Sequence, residues 1–421
     1  LRVEIESIAF GGSGIARRDG KVFFVKGGLP HDLLEIRVIN DKGAYAEAVI
    51  EALVEPSAER VEPPCNVFGL CGGCQLQNLG YSAQLREKEN MLRETVRRIR
   101  GLGDVRAEPI FPSPSEYGYR RRTLLSAWYF SGGWHVGYFQ GKSLKKVKVV
   151  SCPVTDGKID GAISRLSDVL SSIGEPRYPL DKIYIATDGE NAHIALVPRS
   201  RSDPRALGAL VRHLRRFRET SNVSVTGSGE VEFEFSVGGY RFFTSPSVFT
   251  QSNAPVNEAI VDTVLGWAEL GGAETVLELY SGIGNFSLPL AAGSKRVISV
   301  EVNKRASAFA VRNAELNDLR NIDFISESCE RYLSRESSGT PPVDVVVLDP
   351  PREGAKDVLP GITRLSPRKI IYVSCDPATL GRDLKAFTGA GYELFRIRPF
   401  DMFPETYHIE SVSLLVNTRC R

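Results

Sequence analysis

The stretch ETVLELYSGIGNFSLPLA, residues 274–291, reads as a strand, a glycine-bearing turn and a helix. From it onward the pattern stays regular. Strands are expected at 275–280, 297–301, 322–325, 343–348, 369–373, 392–397 and 411–416, separated by helical stretches such as 303–317 and 378–389. Alternation of this kind is the signature of a doubly wound, Rossmann-like parallel sheet, here with antiparallel strands expected to close it. Ligands in such sheets sit at the carboxyl ends of the strands, and the residues with chemical potential collect there.

Upstream the pattern changes twice. Residues 1–57 carry short alternating strands (VEIESIAF, KVFFV, LLEIRVI, YAEAVIEAL) with glycine-rich turns, which predicts a small closed β-barrel ending before PSAERVEPP (56–64). Residues 58–245 read as an α+β region, with helices at 82–100 and 205–219 and strand-rich segments around 123–150, 183–197 and 231–243. Residues 246–421 form the α/β part. At 421 residues, two or three domains are the prior. The composition, 42% hydrophobic and 25% charged, is that of a globular protein, and the net charge of +2 is neutral on partners. No apolar run of about eighteen residues and no signal-peptide pattern occur, so no membrane span is expected. Seven cysteines, an odd number, argue for a reducing, cytoplasmic compartment.

Gly282 and Gly284 in the opening stretch lack side chains that would obstruct a nucleotide, and Glu301 ends the next strand, VISVEVN (297–303). An acid there suits the two hydroxyls of a ribose. G-x-G without a phosphate-loop lysine points away from dinucleotides and triphosphates, which makes S-adenosylmethionine the better fit. Taken alone, the G-x-G also fits a purely structural turn.

Two further strand ends carry reactive side chains. VDVVVLDPPR (343–352) delivers Asp349, and VSCDPA (373–378) delivers Cys375 just before a helix start, where its pKa is expected to fall. Methylating carbon 5 of a pyrimidine requires a thiolate on carbon 6 and a base for the carbon 5 proton. Cys375 is the candidate nucleophile, against the alternative of a small buried hydrophobe. Glu410, in DMFPETYHIESV (401–412), is a candidate base or a solvated strand-end acid.

The blocks LDPPREG (348–354), YVSCDPATLGRDL (372–384) and DMFPETYHIE (401–410) resemble the signatures of uracil-5 methyltransferases acting on RNA. LYSGIGNFSLPLA (279–291) and FTQSNAPVN (249–257) match that family too. The resemblance spans 245–421 and extends upstream, where it implies a TRAM/OB-like barrel. It implies that Cys375 attacks carbon 6, that Glu410 removes the carbon 5 proton, and that Gln251, Tyr280, Gly282 and Glu301 hold the methyl donor. Asp349 would lie between donor and uracil, or merely cap the Pro350–Pro351 turn. Phe286 would pack against the substrate pocket or in the core, His408 would position the Glu410 loop, and Arg382 and Asp383 would be structural. Two positions depart from the family pattern. Asp376 replaces an asparagine, setting a negative charge beside the thiol, and Glu405 stands where a neutral or histidine side chain is usual.

Cys65-x5-Cys71-x2-Cys74, with Cys152 before a proline, supplies four thiolates that fit zinc or an iron–sulfur cluster. The spacing is closer to a four-iron arrangement. The resemblance agrees: one branch of the family carries a [4Fe–4S] cluster with CGGCQLQ (71–77) in this place, so a structural cluster is expected on these four residues. Basic runs at YRRRT (119–123), KSLKKVK (142–148) and RHLRRFR (212–218) suggest an RNA groove, and Phe249 and Phe286 are candidates to hold a flipped base. The resemblance favours ribosomal RNA as substrate, with transfer RNA or a non-catalytic RNA-binding role as alternatives, and a monomer is expected. Cytosine methylation of DNA is disfavoured, because the cysteine lies late in the sheet, after the DPPR block.

Overall fold

The computed structural model describes residues 1–97, 99, 106–141, 143–172, 179–199, 204–335 and 342–420. Its first sheet contains β1 (Arg2–Glu4), β2 (Ser7–Ile8), β3 (Ser13–Arg18), β4 (Lys21–Lys26), β5 (Leu33–Asp41) and β6 (Tyr45–Glu55), in the order β1-β5-β6-β4-β3-β2. β1 and β2 belong to one continuous segment. Ile5 N donates to Asp32 O on one side and Glu6 N donates to Ile15 O on the other, which curls the sheet shut. Alternation puts Val3, Phe23, Val25, Leu34 and Ile36 inside it. Fully buried Asp32 then ties the barrel to the chain that follows. It accepts from Leu29 N, Ser57 N and the Arg60 guanidinium.

α1 (Tyr81–Arg97) leads to the short β7 (Arg106–Ala107). Residues 98 and 100, the end of the helix expected over 82–100, lie outside the described residues. The central sheet holds β8 (Arg122–Phe130), β9 (Gly133–Phe139), β10 (Lys146–Lys148), β11 (Leu180–Thr187), β12 (Ala192–Pro198) and β13 (Asn222–Val225), in the order β10-β9-β8-β11-β12-β13. α2 (Gly157–Ser171) covers it. The helix expected over 205–219 is shorter than its polarity suggested. Only α3 (Gly208–Leu214) is α-helical, between 3₁₀ turns at Pro204–Leu207 and Arg218–Thr220. Leu207 offers no capping side chain, so nothing extends the helix at its start. A hairpin, β14 (Phe233–Val237) and β15 (Tyr240–Thr244), completes this part.

The C-terminal part begins with α4 (Ala254–Ala268). β16 (Thr275–Leu279), α5 (Ser287–Gly293), β17 (Arg296–Val300), α6 (Lys304–Leu316), β18 (Ile322–Ile325), α7 (Cys329–Arg335), β19 (Val345–Leu348), α8 (Leu359–Leu365), β20 (Lys369–Ser374), α9 (Pro377–Gly389), β21 (Tyr392–Phe400) and β22 (Glu410–Asn417) follow. Sheet order is β18-β17-β16-β19-β20-β22-β21-β7. The first five strands are parallel, and β22 inserts antiparallel between β20 and β21. β7, from far upstream, adds a parallel edge to β21.

Both faces of this sheet are covered, which is why its strands are apolar runs rather than alternating ones. Leu277, Val346, Leu348, Ile370 and Tyr372 join one core, while Val276, Val345, Val347, Ile371 and Val373 join the core on the opposite face. The strand order reverses between β16 and β19, and a crevice opens there at the carboxyl ends. Among the described residues no helix is long and apolar enough to cross a membrane.

Candidate active site

Sheet register brings the predicted residues together. Leu279 pairs with both Val300 and Leu348, so Tyr280, Glu301 and Asp349 leave the sheet side by side. Ser374 pairs with Ser411 in the antiparallel ladder, so Cys375 and Glu410 face each other at the ends of adjacent strands. One cavity of about 620 Å³ is lined by Gln251, Tyr280, Gly282, Glu301, Asp349, Cys375 and Glu410, along with Phe249, Phe286 and His408.

The turn after β16 is shaped by conformation. Tyr280 and Gly282 both take left-handed backbone, with φ of 63° and 57°. Holding a tyrosine there costs roughly 1–3 kcal/mol. A Cβ placed on Gly282 would meet nothing within 4 Å, so the turn borders open space, whereas one on Gly284 would lie 2.5 Å from Leu288 Cδ1. Gly282 N and Asn303 N donate to the two carboxylate oxygens of Glu301, at 2.8 and 2.6 Å. Glu301 is thereby fixed with lone pairs left for a ligand. The open turn and this oriented acid fit the adenosine end of S-adenosylmethionine.

Beneath the turn lies Glu278, which attracted no notice in the sequence because one polar residue in an apolar strand carries no signal. It is fully buried and accepts from Ser287, whose hydroxyl is linked through Ser299 to Ser281. Burial pushes its carboxyl up to about 8, so this network is a neutral prop for the turn.

Asp349 accepts from Gln251 Nε2 at 3.2 Å, and burial raises its carboxyl to about 7. Burial and Asp349 raise Glu410 well above the carboxylate range, with Arg352 opposing. Cys375 departs from expectation: its thiol is pushed up to about 12, by burial first and then by Glu410 and Asp349. The expected lowering at a helix start fails because Cys375 precedes the cap. Asp376 is the cap itself, and its Oδ1 accepts from Ala378 N and Thr379 N, consuming the donors the thiol would have used.

The same geometry explains the Asp376 departure. The position needs an acceptor, and asparagine and aspartate cap equally well. Asp376→Asn is expected to leave the thermal midpoint unchanged and to speed iodoacetamide alkylation of Cys375 by roughly threefold, because a charge opposing the thiolate is removed. A midpoint lowered by more than about 5 °C would show the cap to be specific to aspartate.

The remaining residues support the site. Phe286 serves both readings, packing in the core and lining the cavity. Asp383 is fully buried and accepts from Tyr372 Oη, Ala355 N and Arg382 Nε, outside the cavity. The loop carrying Glu410 is held from several directions. Lys88 Nζ of α1 donates to Asp401 Oδ1 at 2.5 Å and to Phe403 O at 3.0 Å, a fully buried pair whose disruption would cost about 3–5 kcal/mol. Tyr119 Oη donates to Pro404 O. Glu405, in left-handed backbone with φ 68°, exchanges hydrogen bonds with Gln84, and burial raises its carboxyl to about 7. Its carbonyl accepts from Gln75 N and Leu76 N. Arg352, overlooked although it lies inside LDPPREG, lines the cavity and donates to His408 Nε2 at 3.2 Å.

Of the three basic runs, the first is turned inward. Arg120 and Arg122 are half-buried: Arg120 lies over Phe403, Arg122 over Phe249 at 4.9 Å, and Arg121 lines the cavity. Lys145, Lys146 and Lys148 are exposed on and beside β10, as are Arg212, Arg215, Arg216 and Arg218 around α3, while Lys142 lies outside the described residues.

The expected [4Fe–4S] cluster is not supported. Cys65, Cys71, Cys74 and Cys152 line one cavity of about 520 Å³, and all four are free thiols. Among the described residues, no group of three or more His, Cys, Asp or Glu side chains is placed to hold a metal ion. Spacing in sequence brought the four to one cavity wall without converging them on a point.

Comparison with known proteins identifies the family. The family model for tRNA (uracil-5-)-methyltransferases matches residues 80–418, and that for the TRAM domain matches residues 1–50. The chain is 34% identical to the 23S rRNA (uracil(1939)-C(5))-methyltransferase RlmD of Pseudomonas putida, over 98% of this chain and 93% of the relative. It is 32% identical to an uncharacterized RNA methyltransferase of Halalkalibacterium halodurans, over 99% and 96%. Among solved structures it resembles the Pyrococcus abyssi tRNA (uracil-54, C5)-methyltransferase in complex with S-adenosyl-L-homocysteine. The TM-score is 0.72 at 26% identity, covering 99% of this chain and 100% of that one.

Proposed function

The chain belongs to the class I, S-adenosylmethionine-dependent RNA uracil-5-methyltransferases, in the TRAM-containing branch of RlmD, and from that premise we propose that it methylates a uridine of 23S ribosomal RNA through a covalent enzyme–base adduct. The observation that carries the mechanism is Cys375 facing Glu410 in a cavity shared with the Tyr280–Gly284 turn.

S-adenosylmethionine, when bound, supplies an electrophilic methyl group to carbon 5; the turn, Glu301, Gln251 and Asp349 would hold it. Cys375, as thiolate, bonds to carbon 6 and sends the electron pair of the 5,6 double bond onto the ring as an enolate, which makes carbon 5 nucleophilic. Glu410 takes the carbon 5 proton once the methyl group is in place. The Cys375–carbon 6 bond then breaks, the double bond reforms, and the thiolate returns. A carboxylate with a raised pKa is the stronger base for that proton. The uridine must leave its stack to reach the thiol. Phe249, 60% exposed, has Arg122 near its ring and can stack the flipped base. The proposal includes a monomer acting in the cytoplasm, with every site residue from one chain.

RlmD relatives aligned over nearly the whole chain support ribosomal RNA. The full-length likeness to a transfer RNA enzyme favours a second reading, a T-loop uridine. Mass spectrometry of both RNAs from a strain lacking the gene separates them. Loss of one 5-methyluridine from 23S ribosomal RNA is expected. Loss from transfer RNA alone would establish the second reading, and loss from neither would overturn the proposed reaction.

A further inference from the structure

We propose that the N-terminal barrel positions the active site directly: Phe10, in the turn between β2 and β3, seats Tyr407, and Tyr407 holds His408 as the acceptor that fixes Arg352 at the cavity. The inference deepens the proposed reaction and rests on it for its meaning.

A chain of contacts runs from the barrel to the thiol. The Phe10 and Tyr407 rings meet edge to face, centroids 5.1 Å apart at 85°. Tyr407 packs on the His408 ring at 4.2 Å. His408 Nε2 lies 3.2 Å from Arg352 Nη2. A guanidinium only donates, so that nitrogen must carry the lone pair. Burial and the Arg352 charge push the imidazole down to about 3, which keeps it an acceptor throughout the working range. Arg352 in turn is the charge opposing two upward shifts: that of Cys375, raised by burial, Glu410, Asp349 and Asp376, and that of Glu410, raised by burial and Asp349. Moving it would change the reactivity of both groups.

The barrel side is built for close approach. Gly12 has φ of 81°, and a Cβ there would lie 2.7 Å from Gln75 Cβ and 3.5 Å from Tyr407 Cδ1. Ile8 N donates to Glu87 Oε2 of α1 at 2.7 Å, fixing the turn against the helix that also holds Asp401 and Glu405. Phe10 is 37% exposed and stands outside the barrel core, with its ring edge to face against Tyr407.

Phe10→Ala, Tyr407→Ala, the double variant and Tyr407→Phe, all in the full chain, test the contact. Each alanine variant is expected to lower kcat roughly tenfold, as small misplacements near reacting groups do, with KM for RNA changed less than about twofold. The double variant should be no worse than the more affected single one, because both remove the same contact. Tyr407→Phe should keep wild-type kcat. Iodoacetamide labelling of Cys375 at one fixed pH, without RNA and read by peptide mass spectrometry, should slow in both alanine variants. Circular dichroism and the thermal midpoint report folding separately. A raised KM with unchanged kcat and unchanged labelling would overturn the inference, leaving the barrel as an RNA-holding surface only. Additive losses would overturn it too. Because labelling needs no RNA, a slowed rate in a protein that methylates no uridine would sink the proposed reaction and leave the contact standing.

Discussion

Cys375→Ala is expected to abolish methylation, lowering turnover by at least about 10⁴-fold, because no other group can add to carbon 6. Tritiated methyl donor with ribosomal RNA reads the loss directly. Gel analysis with 5-fluorouridine-containing RNA should show a covalent complex for wild type and none for the variant. Residual labelling near the wild-type rate would remove the adduct mechanism. The thiol also sets a pH signature. Its pKa is raised to about 12, so the neutral form dominates in the free enzyme at ordinary pH. The thiolate fraction, and with it iodoacetamide labelling of Cys375, should therefore rise about tenfold per pH unit through the neutral and alkaline range. A plateau near neutrality would mean that the thiol is activated before RNA arrives.

Glu410→Gln should stop the reaction at a different point. The amide keeps the size of the side chain and cannot accept the carbon 5 proton. Turnover should fall by about 10²–10⁴-fold, while attack by Cys375 and addition of the methyl group still proceed. Protein cross-linked to methylated RNA should accumulate, visible as a shifted band that carries the tritium label. If Glu410→Gln instead prevents adduct formation altogether, the base assignment fails, and buried Asp349, with its carboxyl raised to about 7, becomes the group to substitute next.

Much of this site was legible because its candidate residues sit at strand ends. Apolar runs such as VVVL (345–348) and KIIYVS (369–374) declare a sheet buried on both faces, and the residue after each run must emerge at its carboxyl edge. That logic located Asp349, Cys375 and the turn at Gly282. It could not locate Arg352, whose role depends on a contact with His408, 56 residues away. Nor could it judge the protonation of Cys375. A helix start argues for a low pKa, and only the fold shows that Asp376 takes the donors and that Glu410 and Asp349 crowd the thiol. The cysteines teach the reverse lesson. Their spacing suggested a cluster, yet sharing a cavity wall is a weaker condition than converging on a metal.

By itself the sequence determined the class of the sheet, the family, and which side chains stand at the strand ends, because periodicity and local motifs act over a few residues. Tertiary structure alone decided how those groups are charged and held. It set Cys375 opposite Glu410 through antiparallel register and brought β7 across to the far edge of the sheet. It also laid Phe10 of the barrel against Tyr407. Desolvation and long-range contact depend on which distant segments pack together, and no local pattern in ETVLELYSGIGNFSLPLA encodes that.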